Sequence, residues 1–171
     1  MLKGKLVSLR PIIKSDLKFI RSWINDEDIQ YYSQEQYPCY FNHYIITCIY
    51  NEGIKGKKII FIIEDLSGEP IGEIWLDPVY IYNKTAELSI VIGKKEYRGK
   101  GYGKDAIDTM KNYCFKELNI SSIYLKVFAF NIRAINCYKA CGFKVIGRCN
   151  KMVIRSGIKY DELIMKLSNN K

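Results

Sequence analysis

One histidine, His43, and no C-x-x-C pair among 171 residues narrow the chemistry at once. Zinc-type sites need several histidine or cysteine ligands brought together, so no metal is expected. The same shortage argues against a histidine-activated cysteine: Cys137 adjoins Tyr138, but no histidine lies near it in sequence. No apolar run approaches the length of a membrane span; the longest, Ile59 to Ile63, suits a strand. Lys3, Lys5, Ser8 and Arg10 break up the N-terminus, leaving no signal-peptide core, so a cytoplasmic location is expected. Without an export signal, the six cysteines read as reduced thiols, mostly small buried residues. No repeat, linker or low-complexity tract interrupts the chain, and a single domain over residues 1–171 is expected.

What is present is an ordinary globular composition, 48% hydrophobic and 26% charged, with a net charge of +9. That charge suits an anionic ligand and raises the question of nucleic acid. The cations are spread along the chain, and Tyr31-Tyr32 has acidic neighbours, so neither nucleic acid nor membrane is an expected partner. Asp26, Glu27 and Asp28, with Glu35 nearby, form the one dense acidic patch. It suits attraction of a cationic substrate, or capping of a helix.

The stretch Glu96 to Lys104, E-Y-R-G-K-G-Y-G-K, joins a strand-like run to a helix-like run. Gly99, Gly101 and Gly103 alternate with Arg98, Lys100, Tyr102 and Lys104. Glycines permit sharp turns and close approach of an anion to backbone N–H groups. A helix start adds unpaired N–H groups and a positive dipole end. The combination describes a phosphate or pyrophosphate seat, with N–H groups from Arg98 through Lys104 wrapping it.

Around this loop, apolar periodicity predicts strands over Lys5–Arg10, Lys58–Asp65, Pro70–Leu76, Thr85–Gly93, Ser122–Phe128, Phe143–Met152 and Lys159–Leu167. Helices are expected from Ser15 or Asp16 to Asn25, near Ile29–Tyr32, and over Phe41–Asn51, Gly103–Glu117 and Asn131–Cys141. The fold class is α/β (α+β): a mixed, mostly antiparallel sheet of about seven strands flanked by about four helices.

Two nucleotide loops fail on spacing. A G-x-G-x-x-G fingerprint from Gly99 needs glycine where Lys104 stands, and a Walker loop needs glycine at Arg98 and a hydroxyl at Asp105. The pattern that fits is R-x-x-G-x-G at Arg98, Gly101 and Gly103. With it comes N-x-x-A-x-x-x-Y-x-x-x-G-F at Asn131, Ala134, Tyr138, Gly142 and Phe143. These two blocks resemble the GNAT superfamily of N-acetyltransferases, and the resemblance spans the chain from first strand to last. Weaker markers are similar to the ribosomal-protein N-terminal acetyltransferase branch, which takes in spermidine acetyltransferases: Leu9 to Pro11, Ile71 to Glu73, Ala86 to Leu88 and Lys159 to Leu163. Aminoglycoside acetyltransferases share a similar opening.

The resemblance implies an acyltransferase moving an acetyl group from acetyl-CoA to an amine, with coenzyme A as product. It implies that Ile90, Val91 and Ile92 bind the pantetheine arm as an added strand would. It implies cofactor contact from Asn131 and a general-acid role for the Tyr138 hydroxyl. Glu87 is the expected base, with Glu73 and Asp77 as other candidates. Asp26, Glu27, Asp28 and Glu35 are the expected acceptor-binding residues, since the first two helices border the acceptor cleft in relatives. The branch markers favour a protein N-terminal α-amine; the acidic patch favours a polyamine or aminoglycoside. A different class stays open: a non-catalytic acyl-CoA-binding or nucleic-acid-binding module. A homodimer is the assembly kept in view.

Overall fold

Two short strands, β1 (Leu2–Lys3) and β2 (Val7–Pro11), begin the fold in a computed structural model of the chain. The structure describes residues 1–56 and 58–169, and of Lys151 the backbone alone. Three helices follow: α1 (Leu17–Ile24), α2 (Glu27–Ser33) and α3 (His43–Ile54). A meander of β3 (Ile59–Asp65), β4 (Pro70–Tyr80) and β5 (Thr85–Ile92) leads through the glycine loop into α4 (Tyr102–Lys116). Then come β6 (Ser122–Phe128), α5 (Ile132–Ala140), β7 (Lys144–Arg155) and β8 (Ile158–Ser168). The strands form one sheet in the order β1-β2-β3-β4-β5-β6-β8-β7. Among the described residues only β5 and β6 pair in parallel, with α4 as their crossover.

The mixed, mostly antiparallel architecture is the expected one, with eight strands and five α-helices among the described residues. The extra strand, Leu2–Lys3, is too short for alternation to reveal, and α2 spans only seven residues. The capping expectation for α1 needs correction. Asp16 is buried and ends a 3-10 turn; its carboxylate accepts from the Ile13 N–H at 2.8 Å and from both Arg10 terminal nitrogens at 2.7 and 2.8 Å. It is spent as the buried partner of the half-buried Arg10, so it does not cap the helix. The cysteines are also less buried than expected: Cys114 and Cys141 are buried, whereas Cys48 is exposed. None of the described helices is long and apolar enough to cross a membrane.

Alternation along the central strands sends side chains to two separate cores. Phe61, Ile63, Ile74 and Leu76 join a large core with Ala106, Ile107 and Met110 of α4 and Ile135 of α5. Ile60 and Ile62 join a smaller one with Ile20 and Trp23 of α1 and Ile46 of α3. The glycine loop belongs to the large-core side, and the first three helices cover the other face.

One feature of the sheet positions the site. β5 and β6 pair only over Thr85↔Ser122, Ala86↔Ile123 and Glu87↔Tyr124. Beyond that, β5 stays with β4 as far as Gly72↔Ile92, while β6 stays with β8 as far as Phe128↔Glu162. The sheet therefore splits open at its middle, directly above the glycine loop.

Candidate active site

The split is the floor of a cleft of about 610 Å³. Leu88, Ser89, Ile90, Val91 and Ile92 line one side, and Val127 and Phe128 the other. Because β5 has lost its partner strand here, its outer edge carries backbone groups free to pair with an extended ligand. Ile90, Val91 and Ile92 are among the cleft-lining residues of this edge.

Gly99, Gly101, Gly103 and Lys104 close one end of the cleft. Gly101 precedes α4 with φ +91, a left-handed conformation that L side chains rarely adopt. Among the described residues, no N–H from Gly99 to Lys104 has a backbone acceptor; the first such bond is Asp105 N–H to the Gly101 carbonyl at 3.0 Å. These free donors lie at the positive end of a 15-residue helix. They fit a pyrophosphate without any metal ion.

Arg98 works differently from the loop's glycines. Its guanidinium donates to the Ile92 carbonyl at 2.9 Å and the Gly93 carbonyl at 2.8 Å, and it pairs with Asp28. It is turned inward, and ties the end of β5 to α2. Lys104 is paired with Asp108 at 2.6 Å and is half exposed. Lys100 and Tyr102 are not cleft-lining residues; Tyr102 packs edge-on against Tyr97.

On the far side, Asn131 caps α5, accepting from the Ala134 N–H at 3.2 Å, and donates to the Tyr32 carbonyl at 3.4 Å. Seven residues on, Tyr138 is buried and lines the cleft, with no hydrogen-bond partner among the described residues. Burial pushes its phenol up, so the hydroxyl keeps its proton at neutral pH.

Trp75, Glu73, Lys58, Lys126 and Glu162 also line the cleft. Glu73 lies on β4 opposite Val91, and only 7% of it is exposed. It has no ion-pair or hydrogen-bond partner among the described residues. Burial pushes its carboxyl up to about 7. Two other strand carboxylates are occupied. Asp77 pairs with Lys58 at 3.0 Å. Glu87 sits before the split, outside the cleft lining, paired with Lys126 at 3.5 Å. Glu162 is pushed up by burial and drawn down by Lys126, with Glu35 and Glu87 adding negative charge nearby.

The acidic patch is only partly brought to the cleft. Asp28 lines it while bound to Arg98. Asp26 caps α2, accepting from the Ile29 N–H at 3.0 Å, and lies 3.6 Å from Lys95. Glu27 and Glu35 are exposed and outside the lining. The patch binds α2 to the glycine loop. Sequence reasoning did not single out Glu162, which lies in the closing K-Y-D-E-L stretch, because its place depends on long-range pairing of β8 with β6.

The model of the acetyltransferase (GNAT) domain matches residues 9–164. The chain belongs to the GNAT acetyltransferase family. Its relatives include the spermidine N(1)-acetyltransferase of Vibrio cholerae, 31% identical over 139 residues, which are 80% of this chain and 78% of that one. The Escherichia coli K12 enzyme of the same name is 29% identical over 142 residues, covering 82% and 74%. The crystal structure of the Vibrio cholerae spermidine N-acetyltransferase in complex with CoA and spermine superposes with a TM-score of 0.86, at 28% identity, over 96% of both chains. A dodecameric structure of that enzyme gives a TM-score of 0.80 at 26% identity, over 96% and 95%. The GNAT fold is thereby confirmed, and the chain is an acetyl-CoA-dependent N-acetyltransferase acting on an amine.

Proposed function

We propose that the acceptor is a polyamine of the spermidine class, that Glu73 is the general base and that Tyr138 is the general acid. The observation that carries this reading is Glu73: an unpaired carboxylate, buried at the acceptor end of the cleft and poised near neutral pH. Ionised, it accepts a proton from the acceptor ammonium directly or through one water. Glu162, with Glu35 and Glu87 close by, supplies negative charge further along for an acceptor carrying several positive charges. The relatives named as spermidine acetyltransferases support the same choice over a protein α-amine.

The cofactor would be held by the free N–H groups from Gly99 to Lys104 and the unpaired edge of Ile90 to Ile92, with Asn131 beside its arm. When bound it supplies the acetyl group as an activated thioester, so the amine attacks without a covalent enzyme intermediate. Tyr138 gives its proton to the departing sulfur. Glu73 stands on the face of the sheet covered by α1 to α3, and Tyr138 on the face covered by α4 and α5. The split lets a base and an acid from opposite faces serve one cleft.

The test is a screen with acetyl-CoA, following free thiol release across spermidine, spermine, an aminoglycoside and short peptides with free N-termini. The expected result is the highest kcat/KM for the polyamines. Faster turnover of the peptides would return the chain to the α-amine reading.

A further inference from the structure

Ile74 of β4, Ala86 and Leu88 of β5, Leu125 and Val127 of β6, and Leu163 and Met165 of β8 all point into the large core. Alternation therefore sends Glu73, Glu87, Lys126 and Glu162 to the opposite face of the sheet. Register sets their levels. Counting on from the Glu87↔Tyr124 pair brings Val91 level with Phe128 on the two sides of the split. Val91 is the partner of Glu73, and Phe128 is the partner of Glu162. The two carboxylates thus flank the opening at one height, and Lys126 stands one step back on the same face of β6. Glu73, Lys126 and Glu162 all line the cleft.

Two cleft lysines are held in different ways. Lys58 is clamped by Glu52 and Asp77, each at 3.0 Å. Lys126 is half exposed and lies 3.5 Å from Glu87, too far for a short charge-assisted hydrogen bond. Glu162 has no hydrogen bond or ion pair among the described residues. Burial pushes its carboxyl up, Lys126 draws it down, and Glu35 and Glu87 push it up again. A single loosely held ammonium therefore serves several carboxylates, and Glu162 is left wanting a cation.

We infer that Lys126 is a specificity-determining residue that limits how many positive charges the acceptor carries. The inference rests on the reading that the acceptor is a polyamine whose reacting amine meets Glu73. With that amine at Glu73, the rest of the acceptor crosses the split towards Glu162, and its next ammonium comes up against Lys126. Lys126 is a built-in competitor. It already supplies one cation to the carboxylates around it, and it repels each further one. Acceptors with fewer charges are favoured over those with more.

The experiment uses the full chain with acetyl-CoA and compares kcat/KM for the tetraamine spermine with that for the triamine spermidine. Lys126→Met and Lys126→Gln should each raise the spermine-to-spermidine ratio about fivefold, the upper range for a partly exposed ion pair. The gain should come from a lower spermine KM, with kcat little changed, and should shrink as salt is added. Lys126→Arg keeps the charge and should keep the parent ratio. Glu162→Gln should move the ratio the other way. Lys116→Met, at an exposed position outside the cleft, removes the same charge and should leave the ratio alone. Calorimetry should find acetyl-CoA affinity unchanged in every Lys126 variant, which also shows that the fold is intact. An unmoved ratio in both neutral Lys126 variants, or an equal rise in Lys116→Met, overturns the inference. If the parent chain acetylates neither polyamine, the acceptor reading has failed and this inference falls with it. If it acetylates them and the ratio stays fixed, only this inference has failed.

Discussion

The two ends of the cleft are built in different ways. The proposed cofactor end is local. Its donors come from consecutive residues, Gly99 to Lys104, mounted on α4, which is anchored by Ala106, Ile107 and Met110 in the large core. The proposed acceptor end is assembled from afar. Glu73 comes from β4, Glu162 from β8, and the wall around Gln34 and Phe41 from the connection between α2 and α3. That wall is held by the buried Arg155, which donates to the carbonyls of Tyr31, at 2.9 Å, Glu35 and Gln34 and is surrounded by Tyr31, Tyr37, Phe128 and Phe130. The comparison teaches that a general donor can be encoded in a short motif, while acceptor choice is distributed over the fold.

The largest effects should separate the two ends cleanly. Glu73→Gln is expected to lower kcat/KM by about 10²–10⁴-fold and to leave acetyl-CoA affinity unchanged by calorimetry. It should also stabilise the protein. The Glu73 pKa rises from 4.5 to about 7 on folding. Its contribution is therefore fully present below pH 4.5 and is lost as pH rises to about 7. Above that range, the charge costs about 3 kcal/mol, which glutamine would remove, so the variant should melt higher at pH 8. A variant that is both inactive and less stable there would contradict the burial argument.

Gly101→Val should act at the other end. Valine cannot readily adopt φ +91, although a Cβ there meets only Leu6 at 3.5 Å. Misdirecting two charge-assisted hydrogen bonds of about 1.5–3 kcal/mol each weakens acetyl-CoA binding by about 10²–10⁴-fold. Overall stability should change far less. Intact binding in a calorimetric titration would remove the loop from the cofactor site.

How much was legible follows the same division. The glycine loop, the meander and the Asn131 to Phe143 block could be read because spacing along the chain carried them. The split in the sheet could not, since it depends on β5 and β6 choosing different partners after Glu87. The choice among the candidate bases was not legible for the same reason. Glu73, Asp77 and Glu87 look alike as strand carboxylates, and only folding shows that two of them meet a lysine and the third does not. Arg98 was read as a loop cation; its partner Asp28 is distant in sequence.

Smaller effects refine the comparison. Tyr138→Phe should cut turnover by about 10²-fold with cofactor affinity spared; an unchanged rate would exclude it as the acid. Arg155→Met should cost about 2–4 kcal/mol of stability by breaking a buried hydrogen-bond network and raise the acceptor KM more than the acetyl-CoA KM. Equal effects on both would mean that the wall does not belong to the acceptor end alone. Glu27→Gln, at an exposed position outside the cleft, should change stability by less than about 0.5 kcal/mol and leave both Michaelis constants alone.

The pH dependence of kcat/KM for spermidine, in the parent chain and in Glu73→Gln, tests the central claim most directly. The parent should show a rising limb that inflects near the Glu73 value of about 7, and the variant should lack it. A limb that survives in the variant, or that inflects in the ordinary carboxylate range, would contradict the assignment of Glu73 as the base.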